Sequence, residues 1–249
     1  MKTRLYEGKA KTVYTTDTPG ELVQRFKDSA TAFNAEKKAE FAGKGELNNR
    51  IASMVFRFLK ARGISSHYLD TPNRRDMRIR QVTIIPLEVV TRNVVAGSLS
   101  KRLGQPEGTR LAEPIVEFYY KDDALGDPLV TEDHIRVLKA ASPEDLAELR
   151  RQALQVNEAL VELWAACGLD LVDFKLEFGR TADGTILLAD EISPDTQRLW
   201  TVDGQRMDKD VFRRDLGDLV ETYRDVHQRL VAAHPELDLG DLAEPPPAP

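Results

Sequence analysis

Residues 171–200 read LVDFKLEFGRTADGTILLADEISPDTQRLW. The first half alternates. Val172, Phe174, Leu176 and Phe178 fall on one side of an extended strand, and Asp173, Lys175 and Glu177 on the other. Asp183-Gly184 is a strong two-residue hairpin turn, because both central positions need φ > 0. A second apolar run, Ile186 to Ala189, ends at Asp190-Glu191. With Asp183 and Gly184 as the turn, Ala182 pairs with Thr185, and Glu177 is expected opposite Asp190. Directly opposed side chains have Cβ atoms roughly 4.5–5.5 Å apart, where like charges repel. Lys175 can help neutralise such a pair. A divalent cation does it better, because carboxylates, phosphate oxygens and water are what Mg²⁺ prefers. The polar face of this hairpin therefore reads either as a metal–phosphate site or as the solvated face of an ordinary antiparallel sheet.

Composition bounds the rest. A chain of 249 residues makes one large domain or two small ones. With 41% hydrophobic and 31% charged residues it is expected to be globular and soluble. No apolar run approaches the roughly 20 residues of a membrane span, and MKTRLYEGKAK lacks an apolar signal core. Cys167 is the only cysteine, which excludes an internal disulfide and a cysteine-cluster metal site and points to a reducing cytoplasm. The four histidines show no metal-ligand spacing. A net charge of −6 argues against general nucleic-acid binding, so an anionic ligand needs a local basic pocket.

In chain order, residues 4–15 read as a tight hairpin bent at Gly8 and flanked by Lys9 and Lys11. Its backbone N–H and ammonium groups can fold over phosphates; lysines also protect an edge strand from aggregation. Residues 21–45 are poorly periodic, with a loop expected over Lys38–Gly45. Glu46 to Arg62 is a helix, with Ile51, Met54, Val55, Phe58 and Leu59 as its apolar stripe and Gly63 behind it. Met77–Val82 and Ile84–Val90 are strand-like. Pro86 cannot donate to a ladder, so it marks a sheet edge or a crossing between lobes. Ser98 is expected to cap a short helix ending at Gly104, with Arg92 within reach of an anion there; plain capping with a surface arginine explains the pattern equally well. Ser142-Pro143-Glu144-Asp145 starts a helix that runs to about Cys167. A last helix is expected from Asp208 to about Val231, and the acidic, proline-rich tail from Pro235 is expected to be disordered.

Several of these pieces resemble one family, the phosphoribosylaminoimidazole-succinocarboxamide synthases, or SAICAR synthetases, of purine biosynthesis. The matching stretches are LYEGKAKTVY (5–14), KGELNNR (44–50), IPLEVVTRNVVAGSLSKRLG (85–104), KDDALGDP (121–128), LVDFKLEFG (171–179), DEISPDTQRLW (190–200) and MDKDVFR (207–213). Residues Ala30–Asn34 depart from the pattern, since many relatives carry an acidic residue near Asn34.

The resemblance implies an α+β, two-lobed, kinase- or ATP-grasp-like fold with antiparallel sheets and ATP between the lobes. The smaller lobe is expected over 1–86 and the larger over 87–234. The implied activity is a cytoplasmic, homodimeric ligase that joins L-aspartate to the carboxylate of carboxyaminoimidazole ribonucleotide (CAIR), using ATP and Mg²⁺. Carried over residue by residue, Glu177 and Asp190 hold the metal. Gly8, Lys9 and Lys11 hold ATP phosphates, and Pro86, Leu87 and Glu88 line the adenine pocket. Arg92, Ser98 and Arg198 take the ribonucleotide phosphate. Asp173 and Lys175 flank the reacting carboxylate, and Lys121 and Asp127 contact CAIR or aspartate. Two alternatives are a small-molecule kinase of similar shape and a non-catalytic nucleotide-binding regulator. The first does not explain the Ala96-Gly97-Ser98 site together with Arg198, and the second does not explain why Lys11, Glu177 and Asp190 are all present.

Overall fold

The computed structural model describes residues 3–32 and 37–247. Asn34 and the last two residues therefore lie outside the described residues. The strands and helices run in the order β1 (Arg4–Glu7), β2 (Lys11–Thr15), β3 (Glu21–Phe26), β4 (Ser29–Ala32), β5 (Lys37–Glu40), α1 (Lys44–Ala61), β6 (Tyr68–Asp70), β7 (Asp76–Arg80), β8 (Thr83–Val94), α2 (Gly97–Leu103), β9 (Arg110–Tyr120), β10 (Leu129–Val130), α3 (Glu132–Leu138), α4 (Pro143–Ala166), β11 (Leu169–Arg180), β12 (Ile186–Ala189), β13 (Gln197–Thr201), α5 (Asp210–Arg213) and α6 (Leu219–Ala233). The fold is α+β. A five-stranded sheet has the order β1-β2-β3-β7-β6, and a six-stranded sheet the order β10-β9-β8-β11-β12 with β13 also paired to β11. The pairings within both sheets are antiparallel. The chain leaves the first sheet at Arg80 and enters the second at Thr83.

The hairpin of residues 171–200 is present, but its register is one residue off the expected one. Glu177 pairs with Ala189 and Arg180 with Ile186. Thr181 N–H donates to Thr185 O and Gly184 N–H to Thr181 O. The loop is thus Ala182-Asp183-Gly184, and only Gly184 (φ 92) is left-handed, the three-residue connection that ends in a glycine. The carboxylate opposite Glu177 is instead Glu88, on β8.

Other differences have equally local causes. Pro86 lies inside β8, between β9 and β11, so it marks no edge. It falls where the β8–β11 ladder shifts register, between Glu177 and Gly179, and a bulge tolerates the missing donor. Residues 38–40 of the expected loop belong to β5 and pair with β4. α2 starts at Gly97, and Ala96 rather than Ser98 is its cap residue. The last helix is divided: Asp215 has φ 54, and Asp218 caps α6 by accepting from Val220 N–H and Glu221 N–H. Residues 237–240 of the tail are hydrogen-bonded to α1, Arg57 donating to Leu237 O and Asp238 O and Arg50 to Gly240 O.

One continuous apolar core joins the two sheets. Ile51, Met54, Val55, Phe58 and Leu59 of α1, Leu149, Leu160, Leu163 and Trp164 of α4, and Phe174, Leu176 and Phe178 of β11 are all in it. Burying each such side chain contributes roughly 1.5–3 kcal/mol. α4 begins with a capping box, Ser142 accepting from Asp145 N–H and Asp145 from Ser142 N–H. With the apolar face of β11 against α4, its other face carries Asp173, Lys175 and Glu177 away from the core, into a cleft.

Candidate active site

The cleft is a cavity of about 870 Å³ lined from both sheets. Gly8, Lys9, Lys11, Glu88, Arg92, Lys121, Asp127, Asp173, Lys175, Glu177, Asp190 and Arg198 all line it. Pro86, Leu87 and Ser98 are not among its lining residues. Leu87 is in the core, the Pro86 carbonyl accepts from Lys121 N–H, and the Ser98 hydroxyl accepts from Arg92.

Three charged clusters follow from the strand registers. The first is at Lys11, whose ammonium contacts Asp190 and lies 3.0 Å from Glu191 Oε1. Burial alone would lower the Lys11 pKa, but Asp190 and Glu191 outweigh it and hold it above its ordinary value. Burial pushes Asp190 the other way, and Lys11 and Lys175 overcome it, holding the carboxyl well below the usual range. Asp190 has φ 61, a left-handed conformation uncommon outside glycine. Its carbonyl lies 3.0 Å from His67 Nε2. Burial pushes His67 down to about 4, so the neutral ring donates its Nε2–H to that carbonyl.

The second cluster is the Glu177–Glu88 rung. Lys175 Nζ lies 2.7 Å from Glu88 Oε1 and 3.0 Å from Glu177 Oε1, and Lys121 Nζ lies 2.8 Å from Glu177 Oε1. Burial opposes the charge on Lys175, yet Glu177 and Glu88 hold its pKa well above the ordinary value. Two lysines thus neutralise two opposed carboxylates.

The third cluster is built on Asp173. Its carboxylate accepts from Arg92 Nη1 at 2.7 Å and from Arg198 Nη1 at 2.8 Å. Arg92 also donates to Glu117, Ser98 and Tyr119, and Arg198 to Asp210. Arg92 is 3% exposed, so this is a fixed frame rather than a pair of free side chains. Gly97 (φ 54) belongs to it, because a Cβ there would fall 2.5 Å from Arg198 Nη2.

The mouth of the cleft is bridged by Lys9, which donates to Asp123 at 2.7 Å. Several lining residues carry no role in the sequence reading: His67, Glu191, Asp195, Lys209 and Arg213. Asp195 accepts from the wholly buried Lys44, from Asn48 at 3.0 Å and from Tyr223 at 2.6 Å. Burial lowers the pKa of Lys209, and the neighbouring Lys44 and Arg213 charges add to that. Lys44, Lys209 and Arg213 sit in the KGELNNR and MDKDVFR stretches. Those stretches carry the resemblance but have no local pattern that tells a cleft cation from a surface one.

Comparisons with known proteins agree with this geometry. A family model described as SAICAR synthetase matches residues 4–230. The curated phosphoribosylaminoimidazole-succinocarboxamide synthase of Bacillus cereus (strain G9842) is 60% identical over 227 residues, covering 91% of this chain and 95% of its own. Among solved structures, the synthase from Ehrlichia chaffeensis has a TM-score of 0.90 at 44% identity, covering 92% of this chain and 99% of that one. A SAICAR synthetase solved in complex with ADP has a TM-score of 0.88 at 46% identity, covering 96% and 99%. With its sequence matched along nearly the whole length and its two sheets superposing on solved members, the chain belongs to the SAICAR synthetase family.

Proposed function

We propose that this cleft joins L-aspartate to the carboxylate of CAIR at the expense of ATP, giving SAICAR, ADP and phosphate. The observation that carries the reading is that two charge-paired clusters within one cavity each offer cations to an anion, Lys11 with Asp190 at one and Arg92 with Arg198 at the other. One suits the phosphates of ATP and the other a phosphate monoester. The ADP complex of a relative 46% identical supports a nucleotide in the cleft.

A carboxylate is a poor electrophile because its oxygen is a poor leaving group. In this reading the CAIR carboxylate attacks the γ-phosphorus of ATP, and ADP leaves. The aspartate amine then attacks the acyl carbon and phosphate leaves. Catalysis of the first step is mainly positioning and charge neutralisation. Gly8, Lys9 and Lys11 hold the ATP phosphates, with Glu191 keeping Lys11 in place. Glu88 shares Lys175 with Glu177, so we place it, with Pro86 and Leu87 behind it, at the reacting end of the cleft rather than at the base. Arg92, Ser98 and Arg198 hold the ribonucleotide phosphate, and Asp173 positions both guanidiniums. Lys175 lies along the reacting carboxylate, and Lys121 and Asp127 contact CAIR or aspartate.

Among the described residues no three His, Cys, Asp or Glu gather to hold a metal by themselves. Two carboxylates in one cavity, Glu177 and Asp190, fit an ion that takes its remaining ligands from phosphates and water, as Mg²⁺ does. When bound there, Mg²⁺ neutralises charge on the phosphate oxygens. The single cysteine and the net charge of −6 support a cytoplasmic enzyme acting on small molecules, and we take it to work as a homodimer. We take the lobes to meet where the chain crosses between the sheets, between Arg80 and Thr83, rather than at residue 86, with ATP between them.

The test is ADP formation with ATP, Mg²⁺ and CAIR, with and without L-aspartate. Full ADP release that depends on both CAIR and aspartate is expected. No ADP from the complete mixture, with folded protein that binds ATP, overturns the ligase reading.

A further inference from the structure

Gln24 is 3% exposed and lines the cleft. In the five-stranded sheet it pairs with Val13 on one side and Met77 on the other. Because cross-strand partners share a face, its side chain lies on the face of Val13, Leu22 and Ile79, all three of which line the cavity. Lys11, paired with Phe26 one step along the same face, leads from there to the Asp190 cluster. This wall is apolar, and Ile84 and Val82 continue it. Within it the Gln24 amide nitrogen is buried and has no hydrogen-bond partner among the described residues. An amide in that position costs free energy unless something else satisfies it, and an aliphatic side chain would complete the wall without that cost.

Resting on the reading of the cleft as the ATP site, we propose that Gln24 reads the nucleobase, its carboxamide pairing with the amino-bearing edge of adenine. A carboxamide places an acceptor beside a donor. Adenine offers the complement, an amino group beside a ring nitrogen, and glutamine pairs with it through two hydrogen bonds. The base stacks against Val13, Leu22 and Ile79, and its phosphates run toward Lys11. Gln24 is in this sense a specificity determinant: it touches the part of the nucleotide that does not react.

The test compares ADP with purine riboside 5′-diphosphate, which lacks the 6-amino group, by calorimetric titration into the wild type and Gln24→Leu. The wild type should bind ADP about three- to tenfold more tightly than the analogue, the worth of one net hydrogen bond. Gln24→Leu should lose that preference by weakening on ADP alone. Its thermal midpoint without nucleotide should equal or exceed the wild type's, since no orphaned amide remains; a purely structural glutamine would lower it. The same preference for ADP in both proteins overturns the proposal, and so does unchanged ADP affinity in the variant. Gln24→Met, closer in shape, repeats the comparison should the leucine variant fail to fold. Wild-type protein that binds neither nucleotide overturns the nucleotide reading of the cleft itself, an outcome distinct from binding without preference.

Discussion

Asp190 is held at two separate points, its carbonyl by His67 and its carboxylate by Lys11. Asn tolerates the left-handed region and conserves the volume, so Asp190→Asn removes a charge with little else. Lys11 keeps Glu191 as a counter-ion. Turnover should fall by at least about 100-fold while the circular dichroism spectrum stays that of the wild type; near-normal turnover rules out Asp190 as a metal ligand. Asp208 makes a different case. Burial and the charge of Asp210 push its carboxyl from 3.8 up to about 7. The native state keeps a proton that the unfolded chain gives up, so stability falls as pH rises from about 4 to about 7 and stays reduced above that. Leu199 N–H and Asp210 N–H use different oxygens of Asp208, so Asp208→Asn keeps an acceptor for only one of them and carries a cost that does not change with pH. Relative to the wild type its stability should rise by about 1–3 kcal/mol between pH 4 and pH 8, as urea unfolding at the two pH values would show.

β11 shows what a sequence can and cannot disclose about an element. Its alternation is a local property, and the faces it assigns to Phe174 and Lys175 are those in the structure. Its register with β12 depends on the loop. Asp-Gly suits a two-residue turn and equally the last two positions of a three-residue one, and one residue of slip exchanges the partners of Glu177. The carboxylate that does oppose Glu177 comes from β8, far away in the chain, where nothing local signals the pairing. The site is legible to the same degree: lysines and carboxylates that a resemblance names converge in one cleft, while Glu191 and Gln24 acquire meaning only from what surrounds them. The start of α4 behaves better, because its capping box is local. Ser142→Ala, which removes the cap of α4, should cost about 1 kcal/mol, read as a shift in the urea midpoint with an unchanged slope. The division of the last helix was open to the same reading, since Gly217-Asp218 is itself a stop followed by a cap.

At the scale of the molecule, the family match ends at residue 230, and the chain beyond it is tied down as far as Glu244. Leu237 is buried in the main core, Arg57 and Arg50 of α1 hold the carbonyls that follow, and Arg74 pairs with Glu244 at 2.6 Å. The composition of the tail suggests disorder because its anchors are all in another part of the chain. Truncation after His234 should lower stability by about 2–3 kcal/mol, chiefly through loss of Leu237, and leave the activity at 25 °C near that of the full chain; thermal unfolding and an ADP assay would check both halves. The cleft itself has a consequence of another kind. Almost every cation that lines it already faces a carboxylate, so the cavity behaves as an ion exchanger in its resting form rather than as a positive hole. On the reading proposed above, a phosphate that takes Lys11 displaces Asp190, and the displaced, largely buried carboxylate is best neutralised by a cation of its own. Nucleotide binding and cation binding would then be one event, by charge balance alone.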